Sequence, residues 1–337
     1  MMIKLKKLGL VTASLCLLVA CGQGSSGDDQ ASQANQSSSE VASEQKDQAS
    51  QGGELADFQA YMDQLGSGQK VDFDQALAET QAAIDKNLTL ENGQIDSLVS
   101  AEMQGAKTQN FTKIDFERTG ENPGDYDALI SVHPVGAHAN QSSPSQQAAI
   151  VDGIYYSAVV DPDQASQRQW TQNNELEADS QGVVFDLMVN EFSRGNVTAD
   201  TVEQVTAYQD GENKVYRFVM SQPAKDSILE TITTQVRVNY EQMKQAADAG
   251  DQQAQAFIEN MGDIDELVNS FAVAEYATTV RINKDGQLDL LMQESQIDAN
   301  GEKYTSSKYG SKLAISNDKN VAETLSQVKT EIASQTH

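Results

Sequence analysis

Val151-Asp152-Gly153-Ile154-Tyr155-Tyr156 is the stretch whose reading decides the fold. Asp-Gly between apolar runs signals a two-residue β-hairpin, because both turn residues take positive φ and these residue types tolerate it. The arms are Ala148 to Val151 and Ile154 to Val160. A chain that reverses this tightly pairs antiparallel, so its neighbours are read for the same period of two. Upstream, Ile95, Val99, Ala101 and Met103 alternate with polar residues, as do Ile114 and Phe116, then Tyr126, Ala128, Ile130 and Val132. The spacing predicts an antiparallel meander of four or five strands over 94–162, one face apolar and one wet.

The same period returns downstream. Val202 to Tyr208 and Lys214 to Met220 flank Asp210-Gly211 as a second hairpin. Ala274, Tyr276, Thr278 and Val280 pair with Leu288, Leu290 and Met292 across Asp285-Gly286, and a third strand runs from Tyr304 to Ile315 after Asn300-Gly301. Between and around these blocks the period is helical. Asp72 with Gln75 fits a capping box, ahead of Phe73, Leu77, Ile84 and Leu88 on one face, and Asn92-Gly93 reads as the turn that ends this part. Phe185, Met188, Val189 and Phe192 form a helical set ending near Gly195. A long helix follows Pro223, with Leu229, Ile232, Val236, Tyr240 and Met243 in register. Phe257, Met261, Ile264, Val268 and Phe271 mark another, weakened by Gly262. Val321, Leu325, Val328 and Ile332 close the chain as a helix capped by Asn320 and Glu323.

The N-terminus carries an address. Lys4, Lys6 and Lys7 precede an apolar run from Leu8 to Ala20, which at about 13 residues is signal-peptide length and too short to span a bilayer. It closes on Leu18-Val19-Ala20-Cys21, which matches a bacterial lipobox. Leu18, Val19 and Ala20 then form the signal-peptidase recognition sequence, and Cys21 is the expected attachment point of a diacylglyceryl anchor. From Gly22 to Gly53 the chain is almost entirely Gln, Ser, Ala, Asp, Glu and Gly, with Val41 as its only large aliphatic residue. Such a segment cannot bury enough apolar surface to order itself, and about 30 flexible residues reach roughly 30 Å. The expected organisation is a cleaved signal at 1–20 and a lipidated tether at 21–53. A short helix (Leu55 to Leu65) and linker follow at 54–70, and one domain at 71–337. The expected location is the extracytoplasmic face of the cell membrane.

Composition excludes several functions. Removing the three signal lysines takes the formal net charge of −27 to about −30, without a basic cluster to offset it. Nucleic acid is therefore not an expected partner, since binding it requires Lys and Arg against phosphates. Cys16 leaves with the signal, so Cys21 is the only cysteine of the mature chain and thiol catalysis, disulfides and thiolate metal sites drop out.

The remaining chemistry is thin. His133 and His138 are separated by Pro134 and Gly136 with no specified further ligand, and read as loop histidines; His337 is terminal. Asn283, Asp285 and Gly286 match the middle of an EF-hand loop, but Arg281 stands at the first ligand position and Met292 at the twelfth, so a hairpin turn is the reading. Asp161 with Asp163 and Asp263 with Asp265 are carboxylate pairs without a partner motif. No nucleophile elbow or phosphate loop is present. No metal, no cofactor and no enzymatic activity are expected. Tyr155, Tyr156, Trp170, Tyr216 and Phe218, with Tyr208 nearby, are either the wall of an apolar ligand cavity or plain core packing.

The order of elements, with Val151 to Tyr156 and Ile282-Asn283-Lys284-Asp285-Gly286 as its hairpins, resembles the surface lipoprotein family of Gram-positive bacteria whose fold is similar to the LolA/LolB lipoprotein carriers. The resemblance covers about residues 71 to 318 and departs from the pattern at Asn283, where the family has an aspartate. It implies an α+β fold, a curved antiparallel sheet forming an unclosed half-barrel around amphipathic helices, with a helical segment between the strand blocks. It also implies a non-enzymatic binding protein for an apolar or amphiphilic ligand. The alternative is an envelope interaction or assembly protein that meets a protein or wall component through its acidic surface.

Overall fold

The computed structural model describes residues 68–103, 106–120, 125–135, 145–160, 168–173, 192, 196–314 and 319–335. The lipobox with Cys21, the tether, the helix expected at Leu55 to Leu65, most of the helical set around Phe185, and Asp161 with Asp163 lie outside the described residues.

The strands are β1 (Gln69–Lys70), β2 (Asn92–Met103), β3 (Ala106–Arg118), β4 (Tyr126–Val135), β5 (Ser145–Val151), β6 (Ile154–Val160), β7 (Thr171–Gln172), β8 (Val202–Asp210), β9 (Asn213–Met220), β10 (Phe271–Ile282), β11 (Leu288–Ala299) and β12 (Glu302–Ala314). The helices are α1 (Phe73–Asn87), α2 (Gln222–Asp248), α3 (Gln252–Met261), α4 (Ile264–Asn269) and α5 (Lys319–Gln335). All twelve strands of the described residues join one antiparallel sheet in the order β1-β8-β9-β10-β11-β12-β2-β3-β4-β5-β6-β7. Among the described residues its two ends are the two-residue strands β1 and β7, so the sheet is unclosed.

The meander is five strands, β2 to β6, within the range read from the sequence. At its last turn Asp152 has φ 51° and Gly153 φ 74°, the pair of positive angles that a two-residue hairpin requires. Asn300 and Gly301, at 54° and 82°, repeat the device between β11 and β12. The two strand blocks are one sheet because β12 pairs with β2, from Thr305 opposite Met103 to Ala314 opposite Gln94.

Period two puts alternate residues on opposite faces. On one face, called inner, residues from β8 round to β4 share a single apolar cluster with α1. One 15-residue helix can meet that many strands only if the sheet curls around it. On the outer face α5 lays Val321, Leu325, Val328 and Ile332 against Leu129, Ala149, Val151, Tyr156 and Ala158.

Five local readings differ from the structure. Asn92 and Gly93 already belong to β2, opposite Glu117 and Phe116, because Leu88 to Leu90 make the turn by bonding back to α1. The β8–β9 turn sits one residue later than Asp210-Gly211, with Asp210 paired to Asn213. Gly262, at φ 67°, breaks the predicted helix into α3 and α4, and Phe271 opens β10 instead of ending a helix. A bulge between Val273 and Glu275 leaves Ala274 exposed, out of phase with Tyr276. Asn320 lies inside α5, which begins at Lys319.

Candidate functional site

The inner face changes character row by row. Leu313, Ile95, Ile114 and Ile130 are cross-strand neighbours and wholly apolar. The next row is Val280, Leu291, Ser311, Ser97 and Thr112; then come Thr278, Gln293, Tyr309, Val99 and Asn110, and then Tyr276, Ser295, Ser307 and Ala101. None of these three rows carries a charged side chain, although the chain's net charge is −27. On the other side of the same strands the charges cluster. Arg217 pairs with Glu275 at 2.8 Å, Lys308 with Glu294 at 3.5 Å and Arg281 with Asp289 at 2.8 Å.

Two helical plugs cover the apolar ends of this face. At one end α1 sits close, because the residues it buries are mostly small: Ala76, Thr80 and Ala83, with Ile84 and Asn87. Phe73, Leu77 and Leu88, three of the four residues read as its apolar face, are only partly buried against the cluster. Polar contacts pin it. Asp72 accepts from the Gln75 N–H at 3.0 Å, the Lys86 ammonium donates to the Asp285 carbonyl, and Asn87 Nδ2 donates to the Leu288 carbonyl at 2.6 Å. The Tyr126 hydroxyl donates to the carbonyls of Leu88 and Leu90 at 3.2 and 3.1 Å. Near the middle of the helix, Glu79 accepts from Lys214 Nζ at 2.7 Å and from the Tyr216 hydroxyl at 2.6 Å. Burial opposes ionisation there, but the bonds from Lys214, Tyr216 and Gln75 prevail and hold the Glu79 carboxyl at about 2, below its usual 4.5. Burial, together with Glu79, pushes the Tyr216 phenol up.

At the other end α2 brings Leu229, Ile232 and Val236 against Val268, Phe271 and Ile297. Leu291 and Ile297, about 20 Å apart along β11, thus belong to two different clusters. The two clusters meet along β10, where Val273 of the first lies opposite Ile297 of the second and Leu229 of α2 packs against both, whereas across β11, β12 and β2 the same face forms a polar floor, half-buried at Gln293, Ser295, Ser307, Tyr309 and Val99. Its hydroxyls are partly linked: Ser295 to Ser307 at 2.8 Å, Tyr309 to Ser311 at 2.6 Å and Ser97 to Ser311 at 2.7 Å. Thr278 is completely buried in the Gln293 row and its Oγ1 has no hydrogen-bond partner. An unpaired buried hydroxyl costs about 1–3 kcal/mol.

The five aromatic candidates do not form one wall. Tyr155 and Tyr156 are consecutive in β6 and therefore face opposite sides. Tyr216 and Phe218 lie on the inner face with α1, where Phe218 meets Phe73 and Phe192 edge to face. Tyr155 is half-buried on the same face, opposite Ile150, and burial pushes its phenol up. Tyr156 and Trp170 are on the outer face under α5. Trp170 is a clamp there. Its indole N–H donates to Glu331 Oε2 at 3.1 Å, its backbone N–H donates to Gln335 at 2.7 Å, and Arg168 lies over its ring. Tyr208 lines a separate 520 Å³ surface pocket with Gly68, Gln69 and Lys214.

Other candidates are absorbed by structure. His133 stands in β4 opposite Phe111, while His138 and His337 lie outside the described residues. Among the described residues no group of three His, Cys, Asp or Glu side chains is placed to hold a metal, and no helix is long and apolar enough to cross a membrane. Asn283 Oδ1 accepts the N–H groups of Asp285 and Gln287, closing the loop on itself. Asp263 caps α4 and Asp265 pairs with Arg237.

The polar floor escaped the sequence reading. Its residues are spread over strands from two distant blocks, and only the β12–β2 pairing brings them together.

No family model and no curated protein matches the chain. Among solved structures it is similar to LprF from Mycobacterium bovis, with a TM-score of 0.33 and 10% identity, over 74% of this chain and 94% of that one. It is also similar to a DUF1329 family protein from Desulfovibrio piger, with a TM-score of 0.24 and 9% identity, over 71% and 92% of the two chains. A third likeness is Rv2717c from M. tuberculosis, with a TM-score of 0.17 and 9% identity, over 66% and 94%. The chemistry of the site rests on its own residues.

Proposed function

We propose that this chain is a non-enzymatic binding protein, tethered to the extracytoplasmic face of the cell membrane through a diacylglyceryl group on Cys21, and that its ligand lies in the trough between α1 and α2. The observation that carries the reading is the inner face itself. It is covered at both apolar ends and along β10, and left half-buried and polar across β11, β12 and β2. A core built only for stability has no use for that floor, since each hydroxyl kept from water must be satisfied inside.

A ligand that lies across the trough meets Ser and Gln side chains below and the partly buried aliphatic side chains of α2 beside it, so an amphiphile fits better than a wholly apolar molecule. The −27 charge and the acidic segment behind Cys21 keep such a domain soluble and off an anionic bilayer surface while the acyl anchor holds it nearby.

Native mass spectrometry on protein extracted gently from membranes tests the proposal. A discrete added mass that is lost on organic extraction is expected. Protein that carries no ligand, however gently it is prepared, would remove the reading.

A further inference from the structure

We infer that the floor of the trough receives an uncharged, hydroxyl-rich group of the ligand, a saccharide ring or a comparable polyol, with Gln293 and Tyr309 setting that preference. The inference rests on the trough being the binding site. Three observations carry it. The floor rows from β10 to β2 offer hydroxyls, an amide and aromatic rings but no charge, while charged pairs crowd the opposite face of the same strands. Ser295 and Ser307, which bond to each other and are half-buried, keep further capacity, because each hydroxyl has one donor and two lone pairs. Independently, Thr278 stands fully buried in the Gln293 row with Oγ1 unpartnered.

The physical consequence is selective. A phosphate or an ammonium drawn onto this floor would lose its hydration with no counter-charge to replace it. An alkyl chain would cover hydroxyls and leave them unpaired. A polyol exchanges its bonds to water for bonds to Ser, Gln and Tyr at little net cost, and the half-buried Tyr309 ring suits its C–H face.

The test is calorimetric titration of the mature polypeptide, residues 21–337, made without acylation, with four probes kept monomeric in solution. These are maltose, octyl maltoside, octyl phosphate and octyltrimethylammonium. Octyl maltoside should bind at least about tenfold more tightly than either charged octyl probe. Gln293→Leu, with unchanged thermal unfolding, and Tyr309→Phe, with at most a modest loss of stability from its bond to buried Ser311, should each weaken it by about two- to tenfold, the range of one lost hydrogen bond. Binding of maltose alone would identify a free saccharide as the source of the polyol. Binding of octyl maltoside without maltose would identify an amphiphile's headgroup. Equal binding of the charged octyl probes, or indifference to both substitutions, overturns the inference and leaves the trough reading standing. No binding of any probe, together with no co-purified ligand, overturns both.

Discussion

Asp127 is fully buried, yet it serves the β5–β6 turn from a neighbouring strand. Its Oδ1 accepts the Asp152 N–H at 2.9 Å and its Oδ2 pairs with Lys329 of α5 at 2.7 Å. The turn was legible in Asp152-Gly153, but this brace was not, because it depends on which strand lies next to the turn. Asp127→Ala should destabilise the fold by about 1–3 kcal/mol in urea unfolding, by leaving the Asp152 N–H and the Lys329 ammonium without their acceptor. An unchanged midpoint would mean that the turn stands by itself. Glu79 makes a prediction in pH. Its folded-state value is about 2 against a usual 4.5, so it binds its proton less readily folded than unfolded. The stabilisation is fully present above pH 4.5 and is lost as pH falls through about 2. The gap in urea midpoint between wild type and Glu79→Gln should therefore be constant above pH 4.5 and close as pH falls towards 2. A gap that does not depend on pH would exclude this ion pair as its origin.

Helix α1 shows how far an apolar pattern carries. Phe73, Leu77, Ile84 and Leu88 announce an amphipathic helix, and the helix is there. The contact that brings it near the sheet is made by Ala76, Thr80 and Ala83, which have too little hydrophobic contrast to show in a sequence. Closeness has a consequence: overpacking at this face must push the helix outward. Ala83→Leu should cost about 1–3 kcal/mol of stability in urea unfolding. A neutral outcome would indicate a loose contact with free space beneath the helix. The long helix α2 is the opposite case. Its register was legible, but none of its 27 residues is fully buried, because it meets the sheet by its first half and otherwise packs on the short helices α3 and α4. Gly262 looked like a weak point in a helix and is a break, since its positive φ ends one helix and Asp263 starts the next.

For the whole molecule, alternation and turn chemistry made the two strand blocks readable, and both are present with nearly the expected strands. Their union is a long-range fact. Nothing local in 94–103 or 305–314 says that these strands pair, and that pairing composes the trough floor from Val99, Gln293, Ser307 and Tyr309. The aromatic residues drew attention in the sequence because they are large, and most of them anchor helices. The uncharged floor was missed because serine and glutamine are ordinary in a chain of this composition. The proposed place of the ligand is the inner face between α1 and α2. Methyl NMR of the mature chain tests this directly, by comparing protein carrying its co-extracted ligand with protein stripped of it. Shifts at Val99 and Leu291 on the inner face, with Leu129 and Val328 on the outer face unmoved, are the predicted result. Shifts confined to Leu129 and Val328, or none anywhere, would contradict it.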